Sequence, residues 1–291
     1  MQSILAVNDL VAQRGPFCLG PLNWQLPAGI FACLVGPNGA GKTTFMQSLM
    51  GLLQLQSGAW TLGNAVVNPR KGDWKAHIGY AFDGQVHYER LSVHENLALH
   101  AGLRSNWDNA LSRELLDAFE LNPKLVVATL SRGQRQALSL ILALAHRPQL
   151  LLLDEVTNGM DSRVRRAWSE IILRLMAESE ISVLMATHVM NDVAQLADRL
   201  VFLQSGRIVA DVDKDSLLES WRQISCRVAG PIQAPAHSLR WEQEGDRLRF
   251  VTRAAPQDLR MLKDQGASHI ESHPLTLDEI CFYTLEEVRH A

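Results

Sequence analysis

The run Gly36-Pro37-Asn38-Gly39-Ala40-Gly41-Lys42-Thr43-Thr44 combines the groups needed to hold a chain of phosphates. Glycines at 36, 39 and 41 let the backbone turn tightly and present its N–H groups to phosphate oxygens. A helix that starts at once adds its positive end to that field. Lys42 supplies the charge opposing β- and γ-phosphates, and the Thr43 hydroxyl suits Mg²⁺. This is the P-loop pattern, which is specific only between a strand and a helix. Both flanks are present: Ile30-Phe31-Ala32-Cys33-Leu34-Val35 reads as a buried strand, and Thr43 to Leu53 as a helix.

Three other places could bring polar groups to a phosphate. Gln149-Leu150-Leu151-Leu152-Leu153-Asp154-Glu155 reads as a buried strand that ends in two carboxylates. Ser182-Val183-Leu184-Met185-Ala186-Thr187 reads as another, ending at His188. Ser131, with Gln134 three residues later, has the form of a capping box, so a helix carrying Leu138, Ile141, Leu142 and Ala145 on one face begins there with its N-terminus free to face an anion. The first two have a plainer reading taken alone: a solvated loop start and a structural histidine. The other histidines, among them His77, His87, His94 and His100, have no metal-ligand spacing and are read as surface residues.

The elements that must position these groups alternate strand and helix. Ile4 to Leu10 and Leu19 to Leu26 are spaced as short strands, with Gly15-Pro16, Gly20-Pro21 and Pro27-Ala28-Gly29 as turns. Ala59 to Leu62 and His77 to Phe82 are further short strands. Between Val93 and Leu130 the spacing turns helical, over Glu95 to Leu103 and Ala110 to Phe119, which suggests an inserted helical subdomain over about 84–146. A helix from Ser162 to Glu178 follows the two carboxylates, and Gln204-Ser205-Gly206-Arg207 reads as a tight hairpin. The fold class expected is α/β, with a mainly parallel sheet covered by helices on both faces, and a first domain at 1–211. Residues 212–291 read as a small α+β appendage, with a strand at Arg247 to Val251, a helix from Pro256 to Gln265 and a last helix with Leu277, Ile280, Cys281 and Leu285 on one face. Ala229 to Pro235 reads as a linker.

With 291 residues, 47% of them hydrophobic, the chain can bury one large core, or one core and a smaller appendage. A formal net charge of -3 gives no general drive toward nucleic acid. Leu138 to Leu153 is interrupted by His146-Arg147-Pro148, and no run approaches the roughly 20 apolar residues of a bilayer span. The start, Met1-Gln2-Ser3-Ile4-Leu5, lacks the features of a signal peptide, so a cytoplasmic location is expected. Four cysteines, at 18, 33, 226 and 281, form no Cys-x-x-Cys pair and are read as small buried hydrophobes.

The order of these motifs resembles the nucleotide-binding subunit of an ATP-binding cassette (ABC) transporter, over residues 1 to about 211. Gly36 to Thr44 is similar to the Walker A motif of that family, Leu130 to Gln134 to its signature motif and Leu150 to Glu155 to its Walker B motif. Asn158-Gly159-Met160-Asp161 resembles the D-loop, and His188 the switch histidine. The resemblance implies a P-loop NTPase cassette that uses ATP and Mg²⁺ and hydrolyses ATP. It implies that Asp154 holds Mg²⁺ with Thr43, that Glu155 polarises the attacking water, and that His188 contacts the γ-phosphate. It also implies a head-to-tail pair in which Ser131, Gly133 and Gln134, with Asp161, close over the γ-phosphate held by a second subunit. Three positions depart from the family: Asp83 stands where a metal-contacting glutamine is usual and is read as a Mg²⁺ contact, with Gln85 two residues later as the other candidate. Val156 follows the glutamate where proline is common, and Arg14 takes the place of an adenine-stacking aromatic, with Phe17 as the fallback.

The function implied is a motor subunit that works from the inner face of the cell membrane on a separate transmembrane permease, for export rather than import. One alternative is a non-transport cassette ATPase acting on nucleic acid or ribosomes. That class usually carries two cassettes or a long coiled-coil insertion, neither of which is found here, so no nucleic acid partner is expected. The other alternative is a degenerate regulatory cassette, suggested by the three departures.

Overall fold

A computed structural model describes residues 2–179, 181–230, 232–235 and 238–290. The strands and helices run, in chain order, β1 Ser3–Arg14, β2 Phe17–Pro27, β3 Phe31–Val35, α1 Lys42–Leu49, β4 Leu55–Leu62, β5 Ala65–Val66 and β6 Ile78–Phe82. Then come α2 Val93–Gly102, α3 Asn109–Ala118, α4 Arg132–Leu144, β7 Leu150–Asp154, α5 Ser162–Ser179, β8 Ser182–Ala186, α6 Met190–Leu196, β9 Arg199–Gln204 and β10 Arg207–Asp213. The last elements are α7 Lys214–Ser220, β11 Arg222–Arg227, β12 Ser238–Glu244, β13 Arg247–Thr252, α8 Ala255–Asp264, β14 Ser268–Pro274 and α9 Leu277–His290. The chain divides into two compact units, Met1–Asp211 and Val212–Ala291.

A six-stranded sheet in the order β10-β9-β3-β8-β7-β6 organises the first unit, and the pairs β9/β3, β3/β8, β8/β7 and β7/β6 are parallel. Leu150 and Leu152 of β7 pack in one cluster with Phe45, Met46 and Leu49 of α1, while Leu151 and Leu153 are buried on the opposite face. Covering on both faces explains why this strand is a run of leucines rather than an alternation. The same cluster takes in Leu5, Leu22 and Trp60 from the antiparallel sheet β2-β1-β4-β5, so α1 shares one core with both sheets.

The expectation that Gly20-Pro21 marks a turn fails: both residues lie inside β2, opposite irregular pairing of β1 around Leu10. The Leu10 carbonyl lies where a side chain at Gly20 would stand, so the glycine marks a close approach inside a bulged ladder. Helix α1 ends at Leu49, short of the expected Leu53. Of the cysteines, Cys33, Cys226 and Cys281 are buried as expected, whereas Cys18 is exposed, since it lies on the outward side of β2. His87 is buried and pairs with Ser139 Oγ at 2.9 Å, and His146 is fully buried, so neither is the surface residue expected from spacing.

In the second unit, β12-β13-β11-β14 form an antiparallel sheet, and Ile224, Leu248, Phe250 and Leu262 of α8 form its core. The stretch read as a linker connects β11 to β12 inside this unit, with Pro231 outside the described residues.

Helix α4 packs against β6, and the contact is close because of Gly79. A Cβ there would overlap the carbonyl oxygen of Ala143, a backbone atom of α4 that cannot rotate away. Gly79→Ala should therefore lower stability by about 2 kcal/mol, as overpacking does. Urea denaturation followed by circular dichroism checks it, and an unchanged midpoint would contradict this account of how α4 is seated.

Candidate functional site

The loop after β3 and the start of α1 surround a cavity of about 410 Å³, walled by the backbone from Asn38 to Thr44 and by Arg14, Phe17, Asp154 and Glu155. Gly41 caps α1 at φ 111°, a conformation only glycine adopts without strain, and the Phe17 ring lies against it. The first amides of α1 have no carbonyl inside the helix, and Lys42, Thr43 and Thr44, which carry them, line the cavity. Lys42 Nζ donates to the carbonyls of Gly36 at 2.7 Å and Pro37 at 3.2 Å. Burial lowers the Lys42 pKa, against the opposing pull of Glu155 and Asp154, so the ammonium is a charge set among groups that only partly satisfy it.

Asp154 ends β7 almost completely buried. Its pKa is raised by burial first, with Glu155 and Asp83 adding to the rise and a hydrogen bond from Thr43 and the charge of Lys42 opposing it. Oδ1 of Asp154 has no hydrogen-bond partner. An orphaned, buried carboxylate oxygen beside a threonine hydroxyl fits a hard cation reached through its water shell. The residues present therefore suit Mg²⁺.

Glu155 follows with φ at 58°, in the left-handed region that is costly for a side chain of this kind. Its N–H donates to the Ala186 carbonyl at 2.8 Å, and Oε2 accepts from Asn158 Nδ2 at 3.1 Å. His188 Nδ1 lies 2.8 Å from the same Oε2, with the imidazole mostly exposed. The structure thus brings Lys42, Thr43, Asp154, Glu155 and His188 to one edge of the sheet. Arg14 and Phe17 reach the same cavity, on either side of the β1–β2 turn.

Ser131, Gly133, Gln134 and Asp161 are elsewhere. Ser131 caps α4 in the capping box expected from sequence, its Oγ accepting from the Gln134 amide at 3.2 Å and its own amide donating to Gln134 Oε1 at 3.0 Å. All four residues line a second cavity, of about 250 Å³, together with Gly159 and Met160. No residue lines both cavities.

Asp83 makes its side-chain contacts on α4. Its carboxylate accepts from Arg132 Nη2 at 2.5 Å and from Gln136 Nε2 at 3.0 Å, so it is engaged with α4 and does not line the cavity that holds Thr43 and Asp154. Arg132 and Gln136 were passed over in the sequence. The signal available was that Arg132 is the one charged residue inside the motif Leu130-Ser131-Arg132-Gly133-Gln134, three residues of which already carried roles.

Among the described residues no helix is long and apolar enough to cross a membrane, and no group of histidine, cysteine and acidic side chains is arranged as a metal cluster. Residues 19–158 match the family described as ABC transporter. Nod factor export ATP-binding protein I of Burkholderia lata is 31% identical over 274 residues, which are 89% of each chain. Sulfate/thiosulfate import ATP-binding protein CysA 2 of Chromobacterium violaceum is 32% identical over 250 residues, 84% of this chain and 67% of that protein. A solved structure described as the ATP binding subunit of an ABC transporter superposes with a TM-score of 0.67 at 26% identity, covering 75% of this chain and 92% of the other. The nucleotide-cradling loop, the carboxylates at the sheet edge and these relatives lead to one conclusion: the chain belongs to the ABC transporter family, as an ATP-binding ATPase subunit.

Proposed function

We propose that the chain is the motor subunit of an export transporter and that its ATP is held between two cassettes arranged head to tail. The observation that carries this reading is the separation of the two cavities. One has the phosphate loop and the carboxylates, the other has the Ser131 helix start and Asp161, and the two share no lining residue. A second copy supplies what the first lacks. Export is favoured by the Nod factor export relative, which matches nearly its whole length, whereas the sulfate importer extends well beyond the matched region. A permease would dock from the membrane side on the helical segment, where Val86, Tyr88, Leu99 and Leu103 leave apolar surface exposed.

The geometry supports the following roles. Lys42 draws the β- and γ-phosphates, and the loop amides with the α1 N-terminus fix their position. Thr43 and Asp154 would hold Mg²⁺, which neutralises charge on the phosphate oxygens when bound. Glu155 accepts the proton of the attacking water, and His188, hydrogen-bonded to the same carboxylate oxygen, orients it and reaches the γ-phosphate. Arg14 lays its planar guanidinium on the base, because the Phe17 ring is already packed on Gly41. Closure depends on the γ-phosphate, whose contacts to the neighbour's Ser131 and Gly133 are lost on hydrolysis.

Three outcomes test the assignments. Glu155→Gln should bind ATP, hydrolyse it roughly 10²-fold more slowly, and accumulate as an ATP-dependent dimer in size-exclusion chromatography. A variant with normal turnover would move the base elsewhere. Asp154→Asn should raise the unfolding midpoint of the metal-free protein at pH 7. Its pKa is raised by folding, so the ionised carboxylate destabilises the fold above that pKa, and the cost is relieved as pH falls through it. The same variant should lose the Mg²⁺ dependence of ATP binding in calorimetry. Arg14→Ala should weaken nucleotide binding by about fivefold, the worth of one cation–π contact at a partly exposed site, with ATP and ADP affected equally because the base is common to both.

A further inference from the structure

The side chain of Asp83 joins parts of the chain that the two cavities keep apart. Its amide donates to the carbonyl of Asp154 at 2.9 Å, and its carboxylate accepts from Arg132 and Gln136 of α4. The Gln136 side chain is buried, while the Arg132–Asp83 ion pair is more open to solvent. The stem of Arg132 in turn lies along Gly159, where a Cβ would stand 3.3 Å from Arg132 Cδ. A Cβ on Gly133 would meet the Gly159 carbonyl at 2.9 Å. The first turn of α4 is therefore packed on the segment that carries Asp161, and Asp83 ties α4 to the end of the strand bearing Asp154, by its carboxylate on one side and its amide on the other.

We infer that Asp83 is a positioning residue: by holding Arg132 and Gln136 it keeps the first turn of α4 and the 157–161 segment together as one preformed surface. The inference rests on the proposed function, because this surface is the one that closes over a neighbour's γ-phosphate. It replaces a metal-ligand role for Asp83, which would require the carboxylate to leave both partners. Preorganisation matters here because a surface that had to order itself on closure would spend part of the γ-phosphate's contacts on that ordering.

The test compares Asp83→Asn, Arg132→Met and the double variant in the full-length chain. Methionine keeps the stem that lies on Gly159 and removes only the charged end. Hydrogen exchange in the nucleotide-free protein should quicken by about fivefold at residues 131–137 and 157–161 in each single variant, the loss of one charge-assisted bond near the surface. The double variant should exchange no faster than Asp83→Asn alone, because removing the Arg132 charge breaks a link that the change at Asp83 has already weakened. Calorimetry should find Mg²⁺-dependent ATP binding unchanged in Asp83→Asn, and steady-state hydrolysis should show a lower kcat at constant KM in both singles. Unchanged exchange in either single variant, additive effects in the double, or an Mg²⁺-dependent binding loss confined to Asp83→Asn would each overturn the inference. Absence of an ATP-dependent dimer in Glu155→Gln would instead bring down the proposed function, and the exchange measurement, which needs neither nucleotide nor dimer, would still decide the role of Asp83.

Discussion

A carboxylate that ends a strand buried on both faces is the constraint around which the first unit is arranged. Leu150 to Leu153 are fully buried, and Asp154 follows them to the edge still mostly shielded from water. Taking a carboxylate out of water costs several kcal/mol unless charges and hydrogen bonds compensate. The Thr43 hydroxyl and the Lys42 ammonium compensate in part, yet Lys42 is itself shared with the carbonyls of Gly36 and Pro37. The site is consequently short of positive charge near Asp154 and rich in unsatisfied amides near the loop. A polyanion that arrives with its own cation satisfies both, and whatever binds only the folded state adds to its stability.

Glu155 shows a second cost held in place by the surroundings. A glutamate in the left-handed region stores about 1–3 kcal/mol, and the structure holds it there by an amide bond to Ala186, a contact from Asn158 and the fully buried Val156 that follows. The turn swings the carboxylate from the direction of β7 toward His188. Valine at 156, where the family commonly has proline, leaves the preceding residue free of the steric restriction that a proline ring imposes. The departure is thus compatible with the geometry the glutamate adopts.

What could be read from the sequence was what depends on local pattern. The glycines and Lys42 fix a loop, four leucines fix a doubly covered strand, and Ser131 with Gln134 fixes a helix start, because each rule operates within a few residues. The burial of His87 was invisible, since it depends on Ser139, distant in sequence, turning toward it across the helical segment. Gly20-Pro21 has a turn's composition but sits in a ladder because the Leu10 backbone comes close to it. The partners of Asp83 were invisible for the same reason, lying 49 and 53 residues away. In the second unit, β12 and β14 expose most of their side chains. Their apolar alternation is correspondingly faint, and pairing with β13 and β11 defines them.

The placement of α4 connects these points to the way such a site can be regulated. A helix N-terminus is a ready anion site wherever it stands, but its effect fades within about one turn. The helix carrying Ser131 is fastened along β6 by the close approach at Gly79 and at its first turn by the contact of Gly133 with Gly159. Held there, its end opens into a cavity distinct from that of the chain's own phosphate loop. In the proposed head-to-tail pair, an anion field mounted at a cavity other than that of its own loop responds to the state of a phosphate through the neighbouring molecule. The rigidity that seats α4 on the sheet is therefore the same property that would make hydrolysis dependent on the approach of a second cassette.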